Sequence, residues 1–376
     1  MSKKPVLLFL GLSIFNTNGG IQQVCKSLIY ALSTIALKRN IGFQICSLHD
    51  KNPDPKYVEK ANFIGFSNKR AHFILKVLSN FRDTKTVILG HVHLLPLAFL
   101  LKTLSKDTEI IILAHGVEVW RHLKAWQCYL LRKKVTIWAV SSFTKHILET
   151  RHKINPHRIH ILNNSISPFF SVPDHFHKPR ELQKRYELKQ KTILLSITRK
   201  TGEDRYKGYD HVINAIPSLL SRFPNLHYLI CGQQYSDEKH RIHTLIGKLN
   251  IRPHVTLLDF IPAEELTAHY LLADLFILPS KKEGFGIVFI EAAACGLKII
   301  SGNQDGSIDA MLNGKLGCMV DPDNSTQIKD AIIRNLGQKH NYTKAKLIQK
   351  TCLKYFSHKK YAFNVEHLLN QTDLFK

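Results

Sequence analysis

Short apolar runs alternate with longer amphipathic stretches along the whole chain. The runs fall at Val6–Leu12, Gly42–Ser47, Thr86–Leu89, Glu109–Leu113, Val135–Val140 and Arg158–Leu162 in the first half. In the second half they fall at Thr192–Thr198, Leu226–Cys231, His254–Leu258, Leu275–Leu278, Lys298–Ser301 and Gly317–Val320. Strands that are apolar on both faces and separated by helical patterns predict parallel sheets covered on both sides. Two such sets predict an α/β protein of two doubly wound, Rossmann-like domains. The segment Pro168–Lys178, with two prolines and no periodicity, reads as the connection. The expected division is 1–170, 171–355 and a helical segment 356–376 that packs back on the first domain. There is no internal repeat.

The length of 376 residues and the 44% hydrophobic content suit two sizeable cores. The seven cysteines are scattered, without a C-x-x-C pair, which argues for a reducing compartment and against a disulfide or zinc framework. "VLLFLGLSIF" near the N-terminus reads as a first buried strand rather than a secretion signal, because Asn16–Gly20 follows it where small cleavage-site residues would be. No long uncharged apolar run predicts a transmembrane helix.

Charge changes the picture. The formal net charge is +24, and residues 1–190 hold 29 Lys and Arg against 11 Asp and Glu. Such a basic half suits an anionic membrane face, an anionic substrate or nucleic acid, or is a solvated lysine-rich surface. Ser67–Lys85 and Arg121–Lys134 mix cations with Phe, Trp, Leu and Tyr, so at helical spacing they could lie on an anionic membrane surface or pack inward while their lysines are solvated. No nucleic-acid-binding motif is visible, which leaves a basic nucleic-acid-binding protein as the weaker alternative.

In doubly wound sheets ligands bind beyond the carboxyl ends of the strands, so the residues just after each strand matter. Gly19-Gly20 follows the first strand and opens a helical pattern, suiting close approach of a ligand or a plain tight turn. His115 stands at another strand end. Arg199 and Lys207 flank a polar loop before a helix, where two cations could neutralise a diphosphate or be solvated. In "PSKKEGFGIVFIEAAACG", residues Pro279–Gly296, Glu283 precedes a helix expected to start at Phe285 or Gly286, and Glu291 lies inside it. A capping glutamate and a partly buried glutamate paired with a lysine would be the plain account of the two.

These residues carry a family resemblance. Residues 273–324, with an E-x7-E segment and its flanks in order, resemble the retaining GT-B fold glycosyltransferases. "HGVEVW", "AVSSFTKHIL", "LNNSI", "RYKGYD", "YLICGQ" and "VTLLDFIPAEEL" sit where that family has counterparts. The resemblance implies two Rossmann-like domains with a cleft between them, the first for the acceptor and the second for a nucleotide-sugar donor. It implies a retaining hexosyltransferase of cell-surface polysaccharide or lipopolysaccharide assembly. The expected partners are a glycan or lipid-linked acceptor and an anionic membrane surface, at the cytoplasmic face, with no nucleic acid. Arg199 and Lys207 then look like the grip on the diphosphate, and Glu291 like the acceptor of the ribose hydroxyls. Glu283 looks like the carboxylate beside the sugar, with Gly284, Phe285, Gly286 and Ile287 offering backbone N–H groups. His115 looks like the histidine near the reaction centre, and Gly19 and Gly20 like the loop under the diphosphate. His115, Glu283, Arg199 and Lys207 are the expected catalytic set. No metal or other cofactor is expected, because fixed cations and helix N-termini can stabilise the leaving diphosphate. The one Asp-x-Asp, Asp321-Pro322-Asp323, reads as a turn. One departure stands out: "DGSIDAM" puts Asp305 where many members have a first Gly, and Asp309 where they have Glu. A relative with other nucleotide-sugar chemistry, such as an epimerase, is the alternative.

Overall fold

The computed structural model describes residues 6–17, 19–198, 206–233, 235–339 and 341–375. The chain divides into two compact units, Met1–Pro168 with Phe356–Lys376, and Phe169–Tyr355.

The first unit is built on seven strands: β1 Leu7–Gly11, β2 Phe43–Ser47, β3 Phe63–Gly65, β4 Thr86–Leu89, β5 Glu109–Ala114, β6 Thr136–Ala139 and β7 Ile159–Ile161. Their order in the sheet is β3-β2-β1-β4-β5-β6-β7, with every pairing parallel. The second has six: β8 Thr192–Ile197, β9 Leu226–Cys231, β10 Val255–Leu258, β11 Leu275–Leu278, β12 Ile299–Gly302 and β13 Cys318–Val320. Their order is β10-β9-β8-β11-β12-β13, again all parallel. The fold is therefore two doubly wound α/β sheets, as the apolar runs imply. The strand not anticipated is β3, a three-residue edge strand paired only with β2.

Alternation of side chains explains why these strands read as continuous apolar runs. On β1, Leu8 and Leu10 enter one core and Leu7 and Phe9 the other. The first core is closed by helices at Arg70–Phe81, Leu95–Leu104 and Ala125–Lys133, through Phe73, Val77, Leu101 and Leu130. The second is closed by Gly20–Arg39 and by the C-terminal helix His358–Asn370, whose Tyr361, Val365 and Leu369 are buried. Arg39 pairs with Glu366 at 2.8 Å across those two helices.

In each sheet the strand order reverses once, at β1/β4 and at β8/β11. Those are the places where successive crossovers leave opposite faces and a ligand can sit beyond the carboxyl ends. The loop after β1 is held there by a buried carboxylate. Asp50 accepts from the backbone N–H groups of Ile14 (2.6 Å), Phe15 (3.1 Å) and Asn16 (2.7 Å), and from Ser47 Oγ (2.5 Å). Asp50 is fully buried, so its removal strands three backbone donors. Asp50→Ala is expected to destabilise the first unit by about 2–3 kcal/mol. Calorimetric melting checks this, and unchanged melting would count against the clamp.

Candidate active site

The site of the second unit is assembled at the β8/β11 switch. β11 is buried along its length, and the loop 279–286 leaves its carboxyl end. Gly208 lies directly on this loop. Its φ is +80°, and a Cβ there would fall 2.3 Å from Pro279 O, so glycine alone fits. The Lys281 N–H donates to Tyr206 O at 3.0 Å from the same pair of segments. This contact delivers Lys207 to Glu283, Nζ to Oε1 2.5 Å, with both side chains 13% exposed. The Tyr206 ring lies under the ammonium, 5.1 Å from Lys207 Nζ to its centroid.

Glu283 is also fixed through its backbone. Its N–H donates to Asp305 Oδ2 at 2.6 Å, and its carbonyl accepts from the Gly306 N–H at 2.8 Å. A Cβ on Gly306 would lie 2.0 Å from Gly284 O. Asp305 is fully buried and also accepts from Ser307, at 2.9 Å from N and 2.5 Å from Oγ. Burial and the charge of Glu283 push the Asp305 carboxyl up to about 6.

The helix that follows runs Ile287–Ala294, with Gly286 as its N-cap at φ +90°. The expected start at Phe285 or Gly286 is thus one or two residues early. A residue with positive φ cannot continue a right-handed helix, so Gly286 turns the chain into it. No side chain caps the helix, and of its first-turn N–H groups that of Phe289 donates to Gly286 O at 3.1 Å. The sequence IVFIEAAA is apolar almost all round, as a fully buried helix requires. Glu291 is the exception. It is buried, and it accepts from Tyr270 Oη at 2.9 Å. Among the described residues it has no ion pair, so the account with a lysine partner does not hold for it; that account does describe Glu283. Burial pushes the Glu291 carboxyl up to about 7, with the Tyr270 hydrogen bond acting in the opposite sense.

In the first unit, His115 follows β5 and is buried. Its Nε2 lies 2.8 Å from Gly90 O. A carbonyl only accepts, so Nε2 carries the proton. Nδ1 is buried without a hydrogen-bond partner among the described residues. Glu118 Oε1 accepts from the backbone N–H groups of His115 (2.5 Å) and Gly116 (3.2 Å), which holds the turn. Gly90 also meets the helix that begins at Gly20, through Cys25 Sγ at 3.9 Å. Gly19 is the N-cap of that helix with an extended backbone, φ 179°. The histidine sits in a basic neighbourhood. His91 stacks 6.4 Å from it, and Arg121 Nη2 donates to His93 Nε2 at 3.0 Å. Burial, with the charges of His115, His93 and Arg121, drops His91 to about 4.

Of the expected residues, Lys207, Glu283, Gly284, Phe285, Gly286, Ile287 and Glu291 fall on one loop–helix segment and the strand-end turn packed on it. Gly19, Gly20 and His115 fall at strand ends of the first unit. Arg199 lies outside the described residues. Asp305, Tyr270 and Asp50 were missed. Asp305 had shown only as a departure from a pattern, and the hydrogen bonds of the other two reach across 21 and up to 36 positions. Among the described residues no group of three or more His, Cys, Asp or Glu could hold a metal ion.

Residues 178–351 match the family described as glycosyl transferases group 1. The match covers less than half of the chain, which has the GT-B fold. Relatives include a GDP-mannose-dependent alpha-(1-6)-phosphatidylinositol monomannoside mannosyltransferase of Mycolicibacterium smegmatis, 33% identical over 159 residues, which are 40% of each chain. A D-inositol 3-phosphate glycosyltransferase of Corynebacterium jeikeium is 35% identical over 133 residues, 34% of this chain and 32% of that one. The match thus spans well under half the length of these relatives. Among solved structures, Anabaena Alr3699/HepE in complex with UDP and glucose superposes with a TM-score of 0.77 at 16% identity, over 97% of this chain and 99% of that one. A glycosyltransferase from Rickettsia africae also gives 0.77 at 16% identity, over 98% of both chains. Within the matched residues Glu283 and Glu291 carry the E-x7-E spacing, and Lys207 pairs with Glu283.

Glu291 gives this domain a pH signature. Its folded-state pKa stands above the ordinary glutamate value, so ionising it opposes folding. Stability is greatest at low pH and falls as pH rises toward about 7, by about 3 kcal/mol for a shift of this size. Glu291→Gln is expected to raise Tm at pH 8 and to leave it nearly unchanged at pH 4.5. An equal effect at both pH values in thermal melts would refute the buried charge.

Proposed function

We propose that the chain is a glycosyltransferase that moves a hexose from a nucleoside-diphosphate sugar to an acceptor, retaining the configuration. The observation that carries the reading is the buried Glu291, without an ion pair among the described residues, one helix turn inside a segment whose entrance holds Lys207, Glu283 and a helix N-terminus with no side-chain cap. A carboxylate with no cation is a strong acceptor for a diol, which suits ribose hydroxyls. Lys207 and the first-turn N–H groups suit the diphosphate, whose charge grows as it leaves. His115 offers a buried Nδ1 lone pair to a ligand hydroxyl. Arg199 is the proposed second cation. No metal or other cofactor takes part in this scheme. The printed names of the relatives, one GDP-mannose-dependent and one structure holding UDP and glucose, support a nucleotide-sugar donor.

The acceptor is proposed to be a lipid-linked or growing glycan of cell-surface polysaccharide or lipopolysaccharide assembly, met at the cytoplasmic face of a membrane. Support comes from the first unit. Its helices 70–81, 95–104 and 125–133 are successive neighbours on one face of the sheet. They expose Leu75 (65%), Phe99 (55%), Leu104 (60%), Trp126 (41%) and Tyr129 (52%). Residues 67–134 carry 12 Lys and Arg against 4 Asp and Glu. Apolar side chains among cations suit an anionic lipid surface. No helix among the described residues is long and apolar enough to cross a membrane.

Thermal shift with UDP-glucose and GDP-mannose tests the donor half. At least one should raise Tm. Glu291→Ala should raise the donor KM strongly, and Lys207→Ala should cut kcat/KM by on the order of 10². Unchanged donor binding in the first variant, or a loss of about threefold or less in the second, would remove these assignments. For the surface, the chain should sediment with vesicles containing anionic phospholipid and not with neutral ones. Phe99→Ser combined with Trp126→Ser should weaken that binding about tenfold, with the donor-induced Tm shift kept. Equal binding by the variant would rule the surface out.

A further inference from the structure

We infer that Asp305 is a positioning residue for Glu283, holding its backbone so that the Glu283 carboxylate meets the sugar end of the donor. The inference rests on the donor site proposed above. Its ground is geometric. The N–H and C=O of Glu283 are both taken by consecutive residues, Asp305 Oδ2 at 2.6 Å and Gly306 N at 2.8 Å. This two-point hold fixes the peptide planes on either side of Glu283. With the backbone fixed, the Glu283 side chain has little room to leave Lys207, because both are only 13% exposed.

Asp305 is itself held. Ser307 donates twice to Oδ1, which leaves Oδ2 for Glu283 alone. Asp305 belongs to the loop after β12 and Glu283 to the loop after β11, so the clamp ties two adjacent strand ends. The Glu283 N–H could be left to water by a smaller residue, and "DGSID" is where the family pattern has glycine. This chain instead places a buried carboxylate there, at a desolvation penalty that must be offset by those three hydrogen bonds.

The charged groups acting at this point are Glu283, which faces Asp305 from the β11 loop, and Lys207, which faces Glu283 from the turn before helix Tyr209–Leu220. A proton on Asp305 would turn one of its acceptor sites into a donor and loosen the clamp. The carboxyl, raised to about 6, therefore adds an acid limb to turnover.

The test uses the full chain and whichever of UDP-glucose or GDP-mannose it binds. It measures release of the nucleoside diphosphate to water at saturating donor, from pH 5 to 8. The wild type should lose kcat below about pH 6. Asp305→Ala should lower kcat about thirtyfold at pH 7.5 with donor KM within threefold. Asp305→Asn can still present an oxygen to the Glu283 N–H, with Ser307 Oγ accepting from its amide and the Ser307 N–H losing its acceptor. It should recover most of that loss and show no acid limb. Titration of Glu291 enters the donor KM and is separated by saturating with donor.

A purely structural role would lower Tm and the active fraction in both variants and leave the shape of the pH profile unchanged. That result overturns the inference, as does an Asn variant no better than Ala. Should Ala not fold, the Asn profile alone decides. If neither nucleotide sugar shifts the wild-type Tm, the donor reading fails first and takes this inference with it. If the donor binds and Glu291→Ala abolishes binding while the Asp305 variants keep wild-type kcat and acid limb, only the clamp is lost.

Discussion

The second unit's site depends on backbones that approach more closely than side chains allow. Gly208 rests on the Pro279 carbonyl and Gly306 on the Gly284 carbonyl, each where a Cβ would stand 2.0–2.3 Å from an oxygen. Parallel strands deliver their loops to one end of a sheet but do not specify contacts among those loops. The glycines do. By closing the gaps they set Lys207, Glu283 and Asp305 in one short sequence of contacts, ammonium to carboxylate to peptide to carboxylate. Lys207 is then a cation with a resting partner. If a diphosphate enters, the ammonium can share itself between two anions without crossing bulk water, and it needs little reorganisation to do so.

Two carboxylates of this unit stand in positions that oppose folding. Glu291 sits in an apolar helix, and Asp305 is fully buried near another acid. Both are raised toward neutrality, so both make the folded unit more stable in acid than at the pH where they are charged. Neither is required by packing: an amide would fill the same volume. Such an arrangement lowers stability at neutral pH and marks both carboxylates for a role beyond packing. Asp305 holds the loop carrying Glu283. Glu291 accepts from Tyr270, and the proposal above adds a ribose diol.

The sequence made the two sheets legible because parallel strands, buried on both faces, need continuous apolar runs, and those runs are local. β3 escaped because Phe63–Gly65 is three residues long and touches only β2. Such an edge needs no extended apolar pattern. The start of the helix carrying Glu291 was misread by one or two residues, since nothing in Gly-Phe-Gly says which glycine will take positive φ. Glu283 and Glu291 could be singled out because their spacing and flanks lie within one segment. Their partners could not. Tyr270 reaches Glu291 across 21 positions, Asp305 reaches Glu283 across 22, and Lys207 reaches it across 76. Such pairings follow from the register of adjacent strands, β11 on β12 and β8 on β11, which no local pattern encodes.

The basic excess of the first half can be weighed in the same way. A solvated lysine face requires no large apolar side chains in water, and single exposed ones are ordinary on any protein. What is not ordinary is their recurrence on three neighbouring helices: Leu75 on one, Phe99 and Leu104 on the next, Trp126 and Tyr129 on the third. The inward faces of the same helices already supply Phe73, Val77, Leu101 and Leu130 to the core. The outward residues are therefore not spare core positions but a second apolar set, interleaved with Arg and Lys. Water disfavours that combination, and nucleic acid would use the charge while leaving the aliphatic side chains idle. An anionic lipid interface uses both halves at once, the cations at the headgroups and the rings at the acyl boundary.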